Sequence, residues 1–239
     1  MRVAAVQFKA RKGDLGTSLR VLATLAQEAA EDADLVVLPE MAATGYIFPT
    51  AEDVAAVAEA PDGPTYQRLA PIAAQHGAWI VAGFPERAGD RLYNSALVID
   101  DQGGLAFVYR KRLLFEADEH WATPGDSGYR RFETAAGAFG VGICMDLNDD
   151  RFLYWCARAR LDAVAFPTNW LEQGIDVVRY WALRMFGQRA ALVAANTHGS
   201  EGEVEFAGRS SVLAGRTLLA SAPMVGDGIV RARLTRRVG

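Results

Sequence analysis

Cysteine is scarce: Cys144 and Cys156 are the only two in 239 residues. Twelve positions apart, they make neither a disulfide framework nor a metal-finger spacing. The three histidines, His76, His120 and His198, are scattered with no pair at ligand spacing, so no metal site is expected. Positive charge is not in excess. Lys and Arg number 25 against 29 Asp and Glu, a formal charge of −4, which leaves no basic footprint for nucleic acid. No run of eighteen apolar residues exists, so no membrane span is expected. Linkers rich in Pro, Gly or Ser, low-complexity tracts and short repeats are missing too, which predicts one domain over 1–239. The opening stretch Met1 to Phe8 is too short and too soon interrupted by charge to be a signal peptide. A reducing cytoplasm is therefore the expected location, and it would keep a reactive thiol available.

What is present is a globular composition, 51% hydrophobic and 23% charged. Strands are predicted at Val3–Phe8, a buried one, and at Leu35–Leu38, Trp79–Phe84, Ser95–Ile99, Leu105–Tyr109, Ala163–Pro167, Leu192–Ala195, Ser211–Leu213 and Thr217–Ala220, with a last one over Gly228–Leu234. Helical spacing marks Thr17–Ala30, Asp176–Arg189 and a segment capped by Asp149 or Asp150 that carries Phe152, Leu153, Cys156 and Ala157 on one face. A further helix over Thr65–His76 closes at Gly77, and Pro71 either kinks it or marks its start. Arg110 to Tyr129 reads as loop. Strands and helices alternate early, and strand pairs with tight turns follow. The fold class is α/β, with helices covering a mixed sheet or two sheets.

Chemistry concentrates at strand ends, where rigid backbone projects side chains into a crevice. Phe139 to Ile143 is an apolar run ending at Cys144, and Gly140 and Gly142 permit close backbone approach. A lone buried cysteine is ordinarily inert packing, and Cys156 is read that way. Cys144 differs in its company. Glu40 follows Leu35-Val36-Val37-Leu38-Pro39, Lys111 follows the strand ending at Tyr109, and Asn169 follows Phe166-Pro167-Thr168. If these strands lie side by side, their side chains converge at one rim. A carboxylate, a thiol and an ammonium then supply base, nucleophile and electrophilic stabiliser for acyl transfer.

Three stretches carry a resemblance. Pro39-Glu40, Tyr109-Arg110-Lys111 and Gly142-Ile143-Cys144-Met145-Asp146-Leu147 resemble, in order, the catalytic motifs of the nitrilase superfamily of carbon–nitrogen hydrolases. Ala5-Val6-Gln7, Thr44-Gly45-Tyr46, Tyr93-Asn94-Ser95-Ala96, Thr123-Pro124-Gly125-Asp126 and Ala195-Asn196-Thr197 support it, so the likeness runs to about Ser221. The resemblance implies a four-layer α-β-β-α sandwich and an amidase-type enzyme with a Glu-Lys-Cys triad. Glu40 would be the general base and Cys144 the nucleophile, with Lys111 and the Met145 N–H holding the oxyanion. A carboxamide would be cleaved through a thioester with release of ammonia, and no cofactor would be needed. A second glutamate is expected in the loop after the lysine, with Glu119 the better match and Glu116 the weaker. Tyr46, Asn169 and Trp170 are read either as pocket lining or as plain core, and the pocket is assigned to 45–51, 113–123 and 170–176.

The chain also departs from the family pattern. Position 113 is Leu where a histidine is usual, and Asn148-Asp149-Asp150 replaces the usual Arg-Phe-Pro. Cys144 to Asn148, Trp121-Ala122 and Asn169-Trp170-Leu171 look more like the protein N-terminal amidases. Candidate substrates are therefore a small-molecule amide or a peptide with amino-terminal Asn or Gln, with nitriles and N-carbamoyl compounds as alternatives. The family's habits add a homodimer, joined by helices near the nucleophile. Two rivals from other classes stand beside this reading: a papain-like dyad of Cys144 with His198, and a non-catalytic binding module on the same fold.

Overall fold

The computed structural model describes residues 1–235, and the period-2 pattern of the buried strands explains most of it. In the first half, β1 (Arg2–Gln7), β2 (Leu35–Val37), β3 (Trp79–Ala88), β4 (Arg91–Ile99) and β5 (Leu105–Arg110) form one sheet. The late strand β14 (Gly228–Arg233) adds to its edge, giving the order β14-β1-β2-β3-β4-β5. The second sheet is built from β6 (Arg131–Glu133), β7 (Ala138–Val141), β8 (Ala163–Thr168), β9 (Ala191–Asn196), β12 (Ser211–Ala214) and β13 (Thr217–Ser221), in the order β13-β12-β9-β8-β7-β6. A small hairpin of β10 (His198–Glu201) and β11 (Val204–Ala207) stands apart from both.

Each large sheet has three parallel strands at its centre, β1-β2-β3 in one and β7-β8-β9 in the other, flanked by antiparallel neighbours. Parallel strands buried on both faces need apolar residues at every position. Alternate positions go to different cores. Val3, Ala5, Leu35, Val37 and Val81 meet Phe139, Val141, Ala163, Ala165 and Val193 between the sheets. Ala4, Val6, Val36, Leu38, Ile80 and Ala82 face the outer helices of the first sheet, and Val164, Phe166, Leu192 and Ala194 those of the second. The result is the four-layer α-β-β-α sandwich.

The outer helices follow from their stripes. Helix α1 (Leu15–Ala30) is capped by the Asp14 carboxylate, which accepts from the Thr17 N–H at 2.9 Å, and buries Leu19, Leu22, Ala23, Ala26 and Ala29. A short α2 (Ala51–Val57), which the sequence pattern did not announce, starts with a Thr50–Asp53 capping box. Helix α3 (Pro64–His76) begins on a proline, keeps Pro71 inside it, and stops at Gly77 in the left-handed conformation. The expected loop 110–129 contains a single turn, α4 (Glu116–Glu119). Over the second sheet, α5 (Asp150–Arg158) buries Phe152 and Cys156, the latter as core packing, and α6 (Val177–Arg184) ends five residues before the expected Arg189.

Candidate active site

Four chain segments end on the same side of the sandwich, but not as neighbours in one sheet. Glu40 lies in the turn after β2, and Lys111 immediately follows β5 in the same sheet, with two strands between them. Cys144 and Asn169 follow β7 and β8, adjacent strands of the opposite sheet. The expected side-by-side arrangement is thus replaced by a face-to-face one. Both sheets carry the same strand directions, so the ends of β2 and β5 meet those of β7 and β8 across the inter-sheet core.

On the first sheet's side the site is a buried hydrogen-bonded network. Glu40, Lys111, Asn94 and Asp118 are all buried. The Lys111 Nζ donates to Glu40 Oε1 at 2.7 Å and to Asp118 Oδ2 at 2.6 Å. Asn94 Nδ2 donates to Glu40 Oε1 (2.7 Å) and to Asp118 Oδ1 (3.0 Å), tying the two carboxylates together. The second Glu40 oxygen accepts from the backbone N–H of Asn169 at 2.8 Å, and Asn169 Nδ2 donates to the Glu40 carbonyl at 2.7 Å. Glu40 is therefore held from both sheets. Burial pushes its carboxyl above the ordinary range, against the opposing pull of Lys111. Burial also works against the Lys111 ammonium, but Asp118 and Glu40 more than offset it and hold its pKa well above the usual lysine value. An ammonium with two carboxylates stays charged.

The second sheet offers a thiol on strained backbone. Cys144 has φ +44°, in the left-handed region, where a non-glycine residue is held only by its surroundings. It opens a 3₁₀ turn, Cys144–Asn148, and the carboxylate of Asp146 fastens that turn. Asp146 accepts from the Ile143 N–H (2.9 Å), the Tyr109 hydroxyl (2.7 Å) and the N–H groups of Arg112 (3.1 Å) and Leu113 (3.0 Å). One buried carboxylate thus joins the cysteine turn to the lysine loop. Burial, reinforced by the Glu40 charge, pushes the Cys144 thiol up, so it rests protonated, while the Lys111 charge pulls the other way. Met41, next to Glu40, is likewise left-handed at φ +49°. Backbone strain therefore marks both sides of the site.

Beside Cys144 opens a cavity of about 250 Å³, bordered by Met145, Asn148, Asn169, Trp170 and Tyr180 among others. Of the expected pocket residues, Met145, Asn169 and Trp170 do border it. Tyr46 does not. It is buried against Phe206, its ring centroid 5.7 Å from Lys111 Nζ, so it covers the lysine instead. Segment 45–51 contributes nothing to this cavity, and Ile47 and Pro49 border a separate groove.

The second carboxylate is also relocated. Glu119 and Glu116 are exposed, and Asp118 is the residue that turns inward. Successive helical residues point about 100° apart, and α4 directs its third residue at Lys111. Asp118 Oδ2 also accepts from the Phe115 N–H at 3.0 Å, the capping bond that starts the turn. Asn94, Asp146 and Asn148 were legible only as parts of the motifs, with no role attached. His198 bonds Asp227 through Nε2 at 2.7 Å and accepts at Nδ1 from the Gly226 N–H, which gives it a partner of its own away from any thiol dyad.

Comparison with known proteins fits this fold. The chain belongs to the carbon-nitrogen hydrolase family, whose model matches residues 2–236. It is a hydrolase of the amidase type within that family. A nitrilase of Pyrococcus abyssi is 34% identical over 214 residues, 89% of this chain and 80% of the nitrilase. A protein N-terminal amidase of Schizosaccharomyces pombe is 26% identical over 259 residues, covering 89% of this chain and 91% of its own. An amidase from Nesterenkonia sp. AN1 superposes with a TM-score of 0.84 at 23% identity, over 98% of this chain and 93% of that one, which shows the shared fold.

Proposed function

We propose that the chain hydrolyses carboxamides through a cysteine thioester, with Glu40 as general base, Cys144 as nucleophile and Lys111 as oxyanion stabiliser. The observation that carries this is a buried carboxylate bonded to a buried ammonium, with a thiol on strained backbone close by at the edge of a cavity. As the Cys144 sulfur attacks the amide carbon, Glu40 takes the thiol proton. The raised thiol pKa makes this transfer unfavourable in the resting site, so it proceeds only as the S–C bond forms. An ammonium has three N–H donors, and Glu40 and Asp118 occupy two. The third serves the developing O⁻. The Met145 N–H, in the first turn of the 3₁₀ segment and without a carbonyl one turn earlier, is the second donor. Collapse expels ammonia with the proton from Glu40. Glu40 then draws a proton from a water that attacks the thioester and returns it to the departing Cys144 sulfur, which releases the acid and restores the thiol.

An amide is favoured over a nitrile by one atom. The Asn169 Oδ1 is buried and has no hydrogen-bond partner among the described residues, although its amide nitrogen is fixed on Glu40. A buried acceptor at the cavity edge calls for a donor. A carboxamide brings an N–H to it and a nitrile brings none. N-carbamoyl compounds and amino-terminal Asn or Gln peptides also bring one, and they remain the second reading. The test is ammonia release from matched amide, nitrile and N-carbamoyl substrates. Amide turnover should be the fastest, and Cys144→Ala should abolish it by at least about 10⁴-fold. Undiminished activity in that variant would refute the mechanism.

Single-domain action in the cytoplasm belongs to the same reading; no helix among the described residues is long and apolar enough to cross a membrane. So does a homodimer. Tyr154 on α5, with Leu183 and Phe186 at the end of α6, exposes large apolar side chains on neighbouring elements. Sedimentation of Phe186→Glu against the parent protein tests it, with a dimer weakened by the substitution as the expected result.

A further inference from the structure

The walls of the cavity beside Cys144 hold no charged side chain. Its polar side chains are Asn148, Asn169, Gln173 and Tyr180, of which Asn148 and Tyr180 form a bonded pair. Asn148 stands one turn past Cys144, and its Oδ1 accepts from the Tyr180 hydroxyl at 2.7 Å. Its Nδ2 lies 3.3 Å from the Met145 sulfur, a weak acceptor that leaves amide donor capacity for a ligand. Tyr180 in turn packs against Trp170 with ring centroids 5.4 Å apart, so the pair sits on rigid aromatic support.

Three charged side chains beside the cavity lining, Arg184, Glu172 and Asp149, already have partners. Arg184 donates to the Leu147 carbonyl at 3.0 Å and to Asp150 at 2.7 Å. Glu172 accepts from the Gly174 N–H in its own loop at 2.7 Å, and Asp149 accepts from the Tyr129 hydroxyl and caps α5. A charged acyl group entering here would shed water and meet no counter-charge on the cavity walls, which proteins avoid.

We infer that this cavity selects amides with an uncharged acyl group, and that the Asn148–Tyr180 pair is its specificity-determining element. It turns away acyl chains ending in an ammonium or a carboxylate, and peptides whose amino-terminal Asn or Gln carries an α-ammonium. This rests on the amidase reading above, which it narrows.

The test compares hexanamide with its charged analogues 6-aminohexanamide and adipamate, and with an Asn-initiated tripeptide. Ammonia release is measured on the parent enzyme, and equilibrium binding on Cys144→Ala. Hexanamide should exceed each of the others by about 100-fold or more in kcat/KM, the scale on which a site rejects a group it cannot solvate, and should lead in binding as well. Asn148→Asp should raise 6-aminohexanamide turnover about tenfold or more and lower that of hexanamide. A gap under about tenfold for any charged compound, in turnover or binding, overturns the proposal. Absent ammonia release with the binding preference intact would sink the amidase chemistry while leaving the selectivity standing. Should Asn148→Asp fail to fold, the parent panel decides alone.

Discussion

The two sheets share a topology and differ in what they bring to the site. From the first come Glu40, Asn94, Lys111 and Asp118, every charge of which is buried and hydrogen-bonded to another. From the second come a neutral thiol, the Asn169 amide and a cavity bordered by uncharged groups, with Asp146 hidden behind the cysteine turn. The lesson is a division of labour. The charged groups sit where neighbouring strands can satisfy them, and the face that borders the cavity is kept free of fixed charge. The two halves meet at Glu40, which takes Lys111 and Asn94 from one sheet and the Asn169 N–H from the other.

The sharpest way to break that division is Lys111→Met. It leaves Glu40 and Asp118 as unpaired buried carboxylates, and removal of one partner from a buried ionic cluster costs about 3–5 kcal/mol. Denaturant unfolding should show that loss, and kcat should fall about 100- to 1,000-fold with the missing oxyanion donor. Smaller, and aimed at the first sheet's grip on Glu40, is Gly83→Ala. A Cβ at position 83 would lie 2.5 Å from the Pro39 carbonyl and clash with the Glu40 Cα, both backbone atoms. Overpacking of this kind costs about 1–3 kcal/mol. Because it displaces the base, activity should drop about 100-fold.

Next comes the contrast of Asp118→Asn with Glu119→Gln. The former removes a carboxylate 2.6 Å from Lys111 and should cost about 10- to 100-fold in kcat/KM, as loss of a charged hydrogen bond of about 1.5–3 kcal/mol does. The latter alters an exposed side chain and should leave the rate within about twofold. Equal effects would put the second carboxylate back at 119.

The mildest test is a pH profile. Glu40 must be ionised to accept the thiol proton, and burial raises its pKa. The acidic limb of kcat/KM should therefore lie above the ordinary glutamate value of about 4.3, with activity lost as pH falls through it. Asn94 donates to the ionised form and so lowers that pKa. Asn94→Leu should shift the acidic limb to higher pH. A limb that stays in place would detach Glu40 from the base role.

Legibility varied with the physics. Strands buried on both faces announced themselves as apolar runs, and Leu35 to Val37, Ala163 to Thr168 and Ala191 to Asn196 were readable because parallel centres tolerate little else. The three-residue β6 and the hairpin β10–β11 escaped notice, as short and partly polar segments have no period to read. Glu119 and Glu116 were the candidates and Asp118 went unmarked, because spacing in a loop does not reveal which residue of a single helical turn points inward. Tyr46 belonged to the right neighbourhood and the wrong side of the lysine.

By itself the sequence determined the family, the alternation of strands and helices, and the order of Glu40, Lys111 and Cys144 at strand ends, since local hydrophobic pattern and motif order are written along the chain. Only the tertiary structure decided that these residues meet across two sheets and that Asp118 and Asn94 complete the charge network. It alone placed Cys144 on strained backbone and Asn148 on Tyr180 at an uncharged cavity. Those features depend on which strand ends face each other and where a turn points its side chains, and no local pattern encodes either.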